Sequence, residues 1–132
     1  MALLVPIVGE NIALEALVNK TAPQNLVLRL FSSNTTPADS DTAVTYTEAT
    51  FTGYSAITLT GASWGAAANG TIAYAQQTFT SSADAQNQNI YGYYVTQATS
   101  GVLVYAERFT DGPYNIANNG DNIKVTPTIS AE

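Results

Sequence analysis

The sequence predicts an all-β protein: an antiparallel β-sandwich, jelly-roll-like in its connections, with one short N-terminal helix. Short runs rich in Val, Ile, Thr and Tyr recur along most of its 132 residues, and these residue types suit the pleated surface of a sheet. Groups of Gly, Pro, Asn and Asp separate the runs, as is typical of tight turns. The length fits a single domain over residues 1–132, with an N-terminal arm and helix over 1–24 and the sandwich over 25–132.

The one predicted helix covers residues 9–19. Apolar side chains recur there at the spacing of a helical stripe, which consists of Ile12, Ala13, Ala16 and Leu17. Glu10 lies near its start and Lys20 follows its end, an order that suits the helix dipole. Pro23 prevents its continuation. The helix is expected to pack against one end or edge of the sandwich.

Six later runs have the features of strands, several with the period of two that strands favour: residues 26–31, 50–59, 71–80, 90–96, 102–109 and 122–129. Residues 98–101 join two of these runs into a hairpin, in which Gly101 supplies a positive φ. Pro127 lacks a donor for a ladder hydrogen bond, which confines the last run to an edge or a strand end. Eight side chains form the predicted core: Leu26, Leu28, Leu30, Phe51, Ile57, Leu59, Ile123 and Val125.

This hairpin is apolar on both faces. One face carries, on its two strands, Tyr91, Tyr93 and Val95 with Leu103, Tyr105 and Phe109. The other carries Ile90, Gly92 and Tyr94 with Val102, Val104 and Ala106. Because a sandwich strand has one core face and one wet face, the second face needs a cover, which is the helix, a loop or a second subunit.

Residues of the hairpin are the candidate contacts of an oligomer or of another docking partner: Tyr91, Tyr93, Tyr94, Tyr105, Val102 and Val104. Tyrosine supplies a large contact area at low entropy cost and is enriched at interfaces. The apolar stretch of residues 2–8 adds to the surface that a small monomer leaves uncovered. We therefore expect a homo-oligomer, a trimer or a dimer, with the hairpin and this stretch in or beside the contact.

The charged and reactive residues exclude several functions. The chain has no Cys and no His, which excludes thiolate nucleophiles, Cys/His zinc sites and His-based acid–base catalysis. With 4 basic against 10 acidic residues, the net charge of -6 argues against nucleic-acid binding and against a polybasic membrane attachment. Glu48, Glu107 and Asp111 are formally able to act as glycosidase carboxylates, but nothing in the sequence brings two of them to a cleft. No enzymatic activity is expected.

Two further features have ordinary structural explanations beside functional ones. Residues 111–121 contain two Asp and three Asn, but they lack the alternation of a calcium loop. Turn formation explains them, and no metal or cofactor is expected. Trp64, between Gly61 and Gly65, is a candidate for stacking on a sugar ring or for closing the end of the sandwich.

Arg29 and Arg108 are two of the four basic residues, and each lies in a predicted strand among apolar neighbours. An unpaired charge in such a place is costly, so both guanidinium groups are expected in structural ion pairs. Glu48 and Glu107 are the expected partners.

Seven short segments, most of them aromatic, Gly- or Pro-containing, follow one another along the chain: Leu28-Arg29-Leu30-Phe31, Thr36-Pro37, Phe51-Thr52-Gly53-Tyr54, Trp64-Gly65, Tyr91-Gly92-Tyr93-Tyr94-Val95, Glu107-Arg108-Phe109 and Asp111-Gly112-Pro113. Together they resemble a group of small proteins of tailed phages and prophages, several of which look like capsid decoration or cement proteins. The resemblance covers roughly residues 9–127.

The resemblance implies a bacteriophage virion protein that binds the major capsid protein on the outer surface of the head and stabilises the shell. Such a protein needs a stable fold and a docking patch but no active site. The alternatives are a tail- or fibre-associated receptor module, in which loop aromatics and Asn or Asp bind host glycans, and an adaptor in a tail ring.

Overall fold

The computed structural model describes residues 3–131. The helix α1 is Ile7–Leu17, and two 3₁₀ turns, Ala43–Thr45 and Gly61–Ser63, lie in the later connections. The strands are β1 (Leu26–Phe31), β2 (Ile57–Leu59), β3 (Thr71–Ala73), β4 (Gln77–Thr80), β5 (Gln88–Ile90), β6 (Gly92–Gln97), β7 (Leu103–Arg108), β8 (Tyr114–Ile116), β9 (Asn122–Val125) and β10 (Thr128–Ser130).

The largest sheet has four strands in the order β2-β1-β6-β7, and every strand pair in it is antiparallel. The remaining strands form three separate antiparallel pairs, β3 with β10, β4 with β9 and β5 with β8. The prediction of a protein built mostly from antiparallel strands with one short helix is therefore confirmed.

Several predicted strands are shorter than expected. Of residues 50–59 only Ile57–Leu59 is a strand, because Gly53 adopts a φ of +94° in a turn that precedes it. The last run divides into β9 and β10 at Pro127, and the two halves pair with different strands. Proline has no N–H group to donate to a neighbouring strand, so the strand breaks at the residue where the sequence predicted an edge or a strand end. The helix starts at Ile7, two residues earlier than predicted.

The main core lies against one face of the four-stranded sheet and takes side chains from the sheet and from the β4–β9 and β5–β8 pairs. From the sheet come Leu28, Leu30, Leu59, Tyr93, Val95 and Tyr105, and from the pairs Phe79, Ile90, Ile116, Ile123 and Val125. Of the eight predicted core residues, six are buried, and Leu26 and Ile57 are half-buried against this cluster.

The opposite face of the sheet carries a second, aromatic core made of Phe31, Tyr46, Tyr94, Leu103 and Ala106. Tyr46 stacks on Tyr94 with ring centroids 5.1 Å apart, and Val8 of α1 packs against the cluster. The second apolar face of the hairpin is therefore covered by a loop and the helix of the same chain.

A β-bulge changes the faces predicted for β7. The register shifts between Val95 and Thr96, so that Tyr105 faces Val95 while Leu103 faces Thr96. The extra residue puts Leu103 in the aromatic core beside Ala106 and puts Val104 against the main core. Strict alternation predicted the reverse, with Leu103 on the face of Tyr93 and Val104 on the face of Tyr94. That prediction is wrong.

The N-terminal arm covers the outer edge of β7. Leu4 and Ala106 exchange backbone hydrogen bonds of 3.0 Å each, and Gly9 of α1 lies directly on the backbone of Val104. Residues 3–5 are half-buried here, in contacts within their own chain, although residues 2–8 were predicted to lie in or beside a subunit contact. Ala2 lies outside the described residues.

Replacing Gly9 with Ala is expected to lower the free energy of unfolding by about 1–3 kcal/mol, because the new Cβ would overlap the carbonyl oxygen of Val104. Helix propensity alone predicts the opposite sign. Urea denaturation measures the difference. Asn11→Ala, at an exposed position of the same helix, is the matched control and should leave stability unchanged or slightly higher. Equal stability of the Gly9 variant and the native protein would show that α1 does not need this close approach.

Candidate functional site

The candidate functional site is an apolar surface around α1. Seven large apolar side chains of the described residues are exposed, and six of them belong to α1, to its C-terminal cap or to two loops beside it. We call this set the α1 surface: Ile7, Leu14, Leu17, Val18, Val44 and Val102. Leu17 is 81% exposed, Val18 70% and Val44 92%. Leu14 and Val18 follow Ile7 at spacings of seven and eleven residues, which puts these three on one side of the helix, and exposed apolar side chains grouped in this way are typical of surfaces that bind another macromolecule.

The exposure follows from how α1 is held. Gly9 is the buried residue of this eleven-residue helix, and it touches β7 through backbone rather than through a side chain. Apolar residues occur nearly all round the helix, while a helix that packs on one side covers only one stripe. Leu14 and Leu17 are therefore left facing solvent.

Two apolar depressions adjoin the α1 surface, each of about 290 Å³. The first is lined by Val8, Thr42, Ala43, Val44, Ser100, Gly101, Val102 and Leu103, so it connects the helix start with the two loops. The second lies between α1 and Trp64, and its apolar lining includes Ile12, Ala13, Ala16, Leu26 and Val104. Val8 lines the first depression and Gly9 the second, so both reach the start of the helix.

Acidic groups rim the apolar residues of α1. Glu15 accepts a hydrogen bond of 2.7 Å from the Thr21 hydroxyl and lies 3.9 Å from the Lys20 ammonium group. Glu10 is exposed in the first turn. The surface thus combines apolar side chains with a mainly negative edge.

The tyrosines predicted at an interface lie mostly inside the molecule. Tyr93 and Tyr94 are each 4% exposed and Tyr105 is fully buried, so these three offer no surface to a second chain and the prediction for them is wrong. The hairpin has two apolar faces, which suggested an interface. In the structure one face packs in the main core and the other in the aromatic core. Tyr91 and Val104 are half-buried, whereas Val102 is exposed and belongs to the α1 surface.

Arg29 forms the ion pair expected from the sequence with Glu48. The Nη1 atom lies 3.0 Å from each oxygen of the Glu48 carboxylate, and Nε donates to the Thr96 hydroxyl at 3.2 Å. The Tyr54 hydroxyl donates to Glu48 at 2.8 Å and accepts the backbone N–H of Leu30 at 3.2 Å. These hydrogen bonds join β1 to the segment that contains Glu48, which lies along β1 past the end of β2.

Arg108 uses neutral acceptors instead of the expected carboxylate. It donates to the carbonyl oxygen of Thr35 at 3.0 Å and to Asn34 Oδ1 at 2.7 Å, and its guanidinium carbon lies 5.1 Å from the ring centre of Tyr91. Glu107, its neighbour in β7, instead accepts the Tyr93 hydroxyl at 2.8 Å. Adjacent residues of a strand point to opposite faces, which separates Glu107 from Arg108.

Three tyrosine hydroxyls donate to carboxylates: Tyr46 to Asp41 at 2.7 Å, Tyr54 to Glu48 and Tyr93 to Glu107. Burial raises the pKa of each of these phenols well above its ordinary value, and the adjacent carboxylate raises it further. Burial also raises the pKa of Tyr105, and it raises the pKa of Tyr94 to about 12. These carboxylates are occupied as acceptors in the fold.

The acidic turn near the C-terminus also has a structural role. Asp121 accepts the backbone N–H groups of Ala117 at 3.0 Å and Asn118 at 2.8 Å, and these bonds lower the pKa of its carboxyl group. Among residues 3–131, no group of three or more acidic residues is arranged to hold a metal ion. No helix within the same residues is long and apolar enough to cross a membrane.

A comparison of the chain with protein-family models, with curated proteins and with solved structures finds no match. The α1 surface is therefore the feature of this chain that bears on its function. Sequence reasoning missed this surface because it assigned α1 one apolar stripe facing the sheet. The signal lay in Leu14 and Val18, which extend the apolar character of the helix beyond that stripe.

A double-mutant cycle with Arg29→Met and Glu48→Gln is expected to give a coupling of about 1–2 kcal/mol in the free energy of unfolding, since Nη1 lies 3.0 Å from both carboxylate oxygens and the pair is about two-thirds covered. Glu48→Gln keeps an acceptor for Tyr54. Lys20 and Glu15, an exposed pair at 3.9 Å, provide the matched control, with an expected coupling below about 0.5 kcal/mol. Equal couplings in the two cycles would contradict the structural role of Arg29.

Alkaline pH is expected to unfold the protein. The five buried tyrosines keep raised pKa values in the folded state, so their contribution is complete below pH 10, the ordinary phenol pKa, and is lost as the pH rises above it. Each phenol whose pKa is higher in the folded than in the unfolded chain lowers the free energy of unfolding by about 1.4 kcal/mol per pH unit between those two pKa values. Phenolate absorbance and circular dichroism should change together.

Tyr105→Phe and Tyr93→Phe form a matched pair that tests the buried tyrosines through their effect on stability. The Tyr105 hydroxyl is buried with no hydrogen-bond partner among the described residues, so its removal should leave the protein as stable or more stable at neutral pH. Tyr93→Phe removes the bond to Glu107 and should destabilise it by about 1 kcal/mol. Ionisation of all eight tyrosines near pH 10 with unchanged circular dichroism would contradict the burial.

Proposed function

We propose that this protein is a tailed-phage capsid decoration or cement protein, which binds the outer surface of the head through the α1 surface and stabilises the shell. The observation that carries the proposal is the exposure of Leu14, Leu17 and Val18 on a helix whose fixed contact is Gly9. The major capsid protein is the proposed partner, as the resemblance implies. The localisation that follows is the outer capsid surface of the virion.

The energetics of the α1 surface suit docking on a repeated lattice. Burying one Leu or Val side chain stabilises a contact by about 1.5–3 kcal/mol, before the entropy of association is subtracted. A patch of this size gives a moderate affinity for one site. A shell offers many equivalent sites, and every bound copy shifts the equilibrium toward the assembled lattice.

The charge of the chain supports the outer rather than the inner surface of a head. The net charge of -6 repels packaged DNA, and no strongly basic region offsets it. The carboxylates of Glu48 and Glu107 hold Arg29, Tyr54 and Tyr93 in place. This structural use supports a role without enzymatic activity.

We also propose the finer architecture predicted from the sequence. In this proposal the four-stranded sheet is one layer of a sandwich, and the three strand pairs are parts of a second, interrupted layer. The main core supports it, because that core joins Leu30 and Val95 of the sheet to Phe79 and Val125 of the β4–β9 pair. A homotrimer or homodimer remains a prediction.

Leu17→Asp is expected to lower the affinity for decoration-free heads of the phage that encodes this chain by about tenfold or more, because it places a charge in the apolar contact. Its effect on the free energy of unfolding should stay within about 1 kcal/mol, since Leu17 is 81% exposed and the main cost is that of an acidic residue at a helix C-terminus. Sedimentation of the protein with purified heads measures binding. Thr126→Asp adds the same charge at an exposed position outside the α1 surface and should bind like the native protein.

Quantitative mass spectrometry of the virion distinguishes a capsid decoration protein from a tail or fibre module. A decoration protein should occur in a fixed, lattice-set ratio to the major capsid protein, whereas a tail or fibre module should be far rarer. Binding of the Leu17→Asp variant at native strength would overturn docking through α1. A low copy number would overturn the capsid role itself.

A further inference from the structure

The depression between α1 and Trp64 adjoins the α1 surface, and we call it the Trp64 cavity. Its volume of about 290 Å³ is far above the ~30 Å³ share of one water molecule. A smaller cavity of about 110 Å³ lies next to it, because Ile12, Ala16, Pro23 and Gln97 line both. Sites for whole small molecules typically begin at about 300 Å³, so the Trp64 cavity is sized for one side chain of a partner.

The apolar lining of the Trp64 cavity is open to an incoming side chain. Five of its residues are half-buried, so that each keeps part of its surface exposed: Ile12, Ala16, Leu26, Trp64 and Val104. The Trp64 ring packs edge-on against Tyr74, with ring centroids 5.2 Å apart, and the Tyr74 hydroxyl accepts the backbone N–H of Thr60 at 3.3 Å. These contacts hold the aromatic wall in place before a partner binds, which reduces the entropy lost on binding.

Two glutamine side chains supply the polar part of the lining, and the amide oxygen of each is already hydrogen-bonded. Gln24 Oε1 accepts the backbone N–H groups of Thr99 at 2.9 Å and of Ser100 at 3.1 Å. Gln97 Oε1 accepts the Ser100 hydroxyl at 2.6 Å. Neither Nε2 atom donates a hydrogen bond within residues 3–131. The two amides therefore offer free donors to whatever enters the cavity.

Gln97 gives the strongest indication of a ligand. It is 7% exposed, so water reaches little of its side chain, and a buried amide nitrogen without an acceptor is unfavourable. A carbonyl oxygen in the Trp64 cavity would supply the missing acceptor. A sugar is a poorer match, because its hydroxyl groups also donate and Gln24 Oε1 already accepts two hydrogen bonds.

From these features we infer that the Trp64 cavity binds an extended, non-acidic peptide segment. One large apolar side chain of the segment lies against Trp64, and its backbone carbonyl oxygens accept the Nε2 donors of Gln24 and Gln97. An extended segment has carbonyl groups on either side of each side chain, whereas those of a helix accept hydrogen bonds within the helix.

The charge of the site disfavours an acidic segment. The net charge of the chain is -6, and Glu15 lines the adjoining smaller cavity. Because the Trp64 cavity is continuous with the apolar residues of α1, a partner docked on the α1 surface can reach it with a neighbouring segment. Assignment of this segment to the major capsid protein rests on the proposed function.

Trp64 is the only tryptophan of the chain, so its fluorescence reports directly on the cavity. The probe is the blocked pentapeptide acetyl-Ala-Ala-Leu-Ala-Ala-amide, and the matched control peptide has serine in place of leucine. The leucine peptide should shift the Trp64 emission to shorter wavelength, because it displaces water from the ring. It should bind about tenfold or more tightly than the serine peptide, the difference expected for one matched apolar group. Titration of the emission against peptide concentration measures both effects.

Gln24→Glu and Gln97→Glu test the carbonyl contacts. Each variant keeps an oxygen for the bonds to the loop of residues 98–101 and replaces the donor nitrogen with a carboxylate oxygen. The leucine peptide should bind to each about tenfold more weakly. Gln24 is less buried, so its variant covers the case of a Gln97 variant that misfolds. Thr126→Asp adds the same charge at an exposed position elsewhere and should bind the peptide like the native protein.

Several outcomes would overturn the inference: no change in Trp64 emission, equal binding of the two peptides, or binding of the leucine peptide to Gln24→Glu at native strength. Tighter binding of chitotriose than of the leucine peptide would overturn it in favour of a glycan. The proposed function fails separately. Peptide binding by a protein that does not bind heads would contradict the capsid role alone, whereas head binding without peptide binding would contradict the role of the cavity alone.

Discussion

The four-stranded sheet is apolar on both faces, and the rest of the chain is arranged to cover both. The strand pairs β4–β9 and β5–β8 contribute Phe79, Ile116 and Val125 to the core on one face. The loop that contains Tyr46 and the start of α1 close the other face over Phe31 and Tyr94. A sheet with one wet face would need only the first of these covers. The requirement for a second cover explains why a long connection follows β1 and why the N-terminal arm turns back onto β7.

Side chains complete hydrogen bonding where the short strands end. Beyond β2, the edge of β1 is satisfied by the Tyr54 hydroxyl and by the backbone of residues 47–49, and the Arg29–Glu48 pair holds this segment in place. The Gln88 side chain accepts the N–H groups of Thr50 and Phe51 at 2.9 and 3.1 Å. Neutral amides and hydroxyls therefore replace ladder bonds that longer strands would make, since buried backbone groups must be paired. This explains how so few charged residues suffice for an irregular β-rich chain.

The packing of α1 connects the fold to the proposed function. Gly9 allows the helix backbone to lie directly on β7, but that contact covers little of the helix. Leu14, Leu17 and Val18 consequently remain largely in solvent. A partner that covers them gains the apolar burial that the single chain forgoes.

Composition and periodicity by themselves determined that the chain is mostly antiparallel strands with one short helix, together with six residues of the main core and several turns: alternating runs located Leu28, Leu30, Leu59 and Val125, and Gly101 and Pro127 marked a hairpin and a strand break. Only the tertiary structure decided which apolar residues are covered. Tyr93 and Tyr105 looked like interface residues because local pattern cannot show what packs on a strand from distant parts of the chain, and Leu103 changed faces because one bulge reverses the alternation after it. The exposure of α1 also depends on the tertiary structure, because the contact between Gly9 and the carbonyl group of Val104 sets the distance between the helix and the sheet. Local sequence sets backbone preference, whereas burial depends on contacts between residues far apart in the chain.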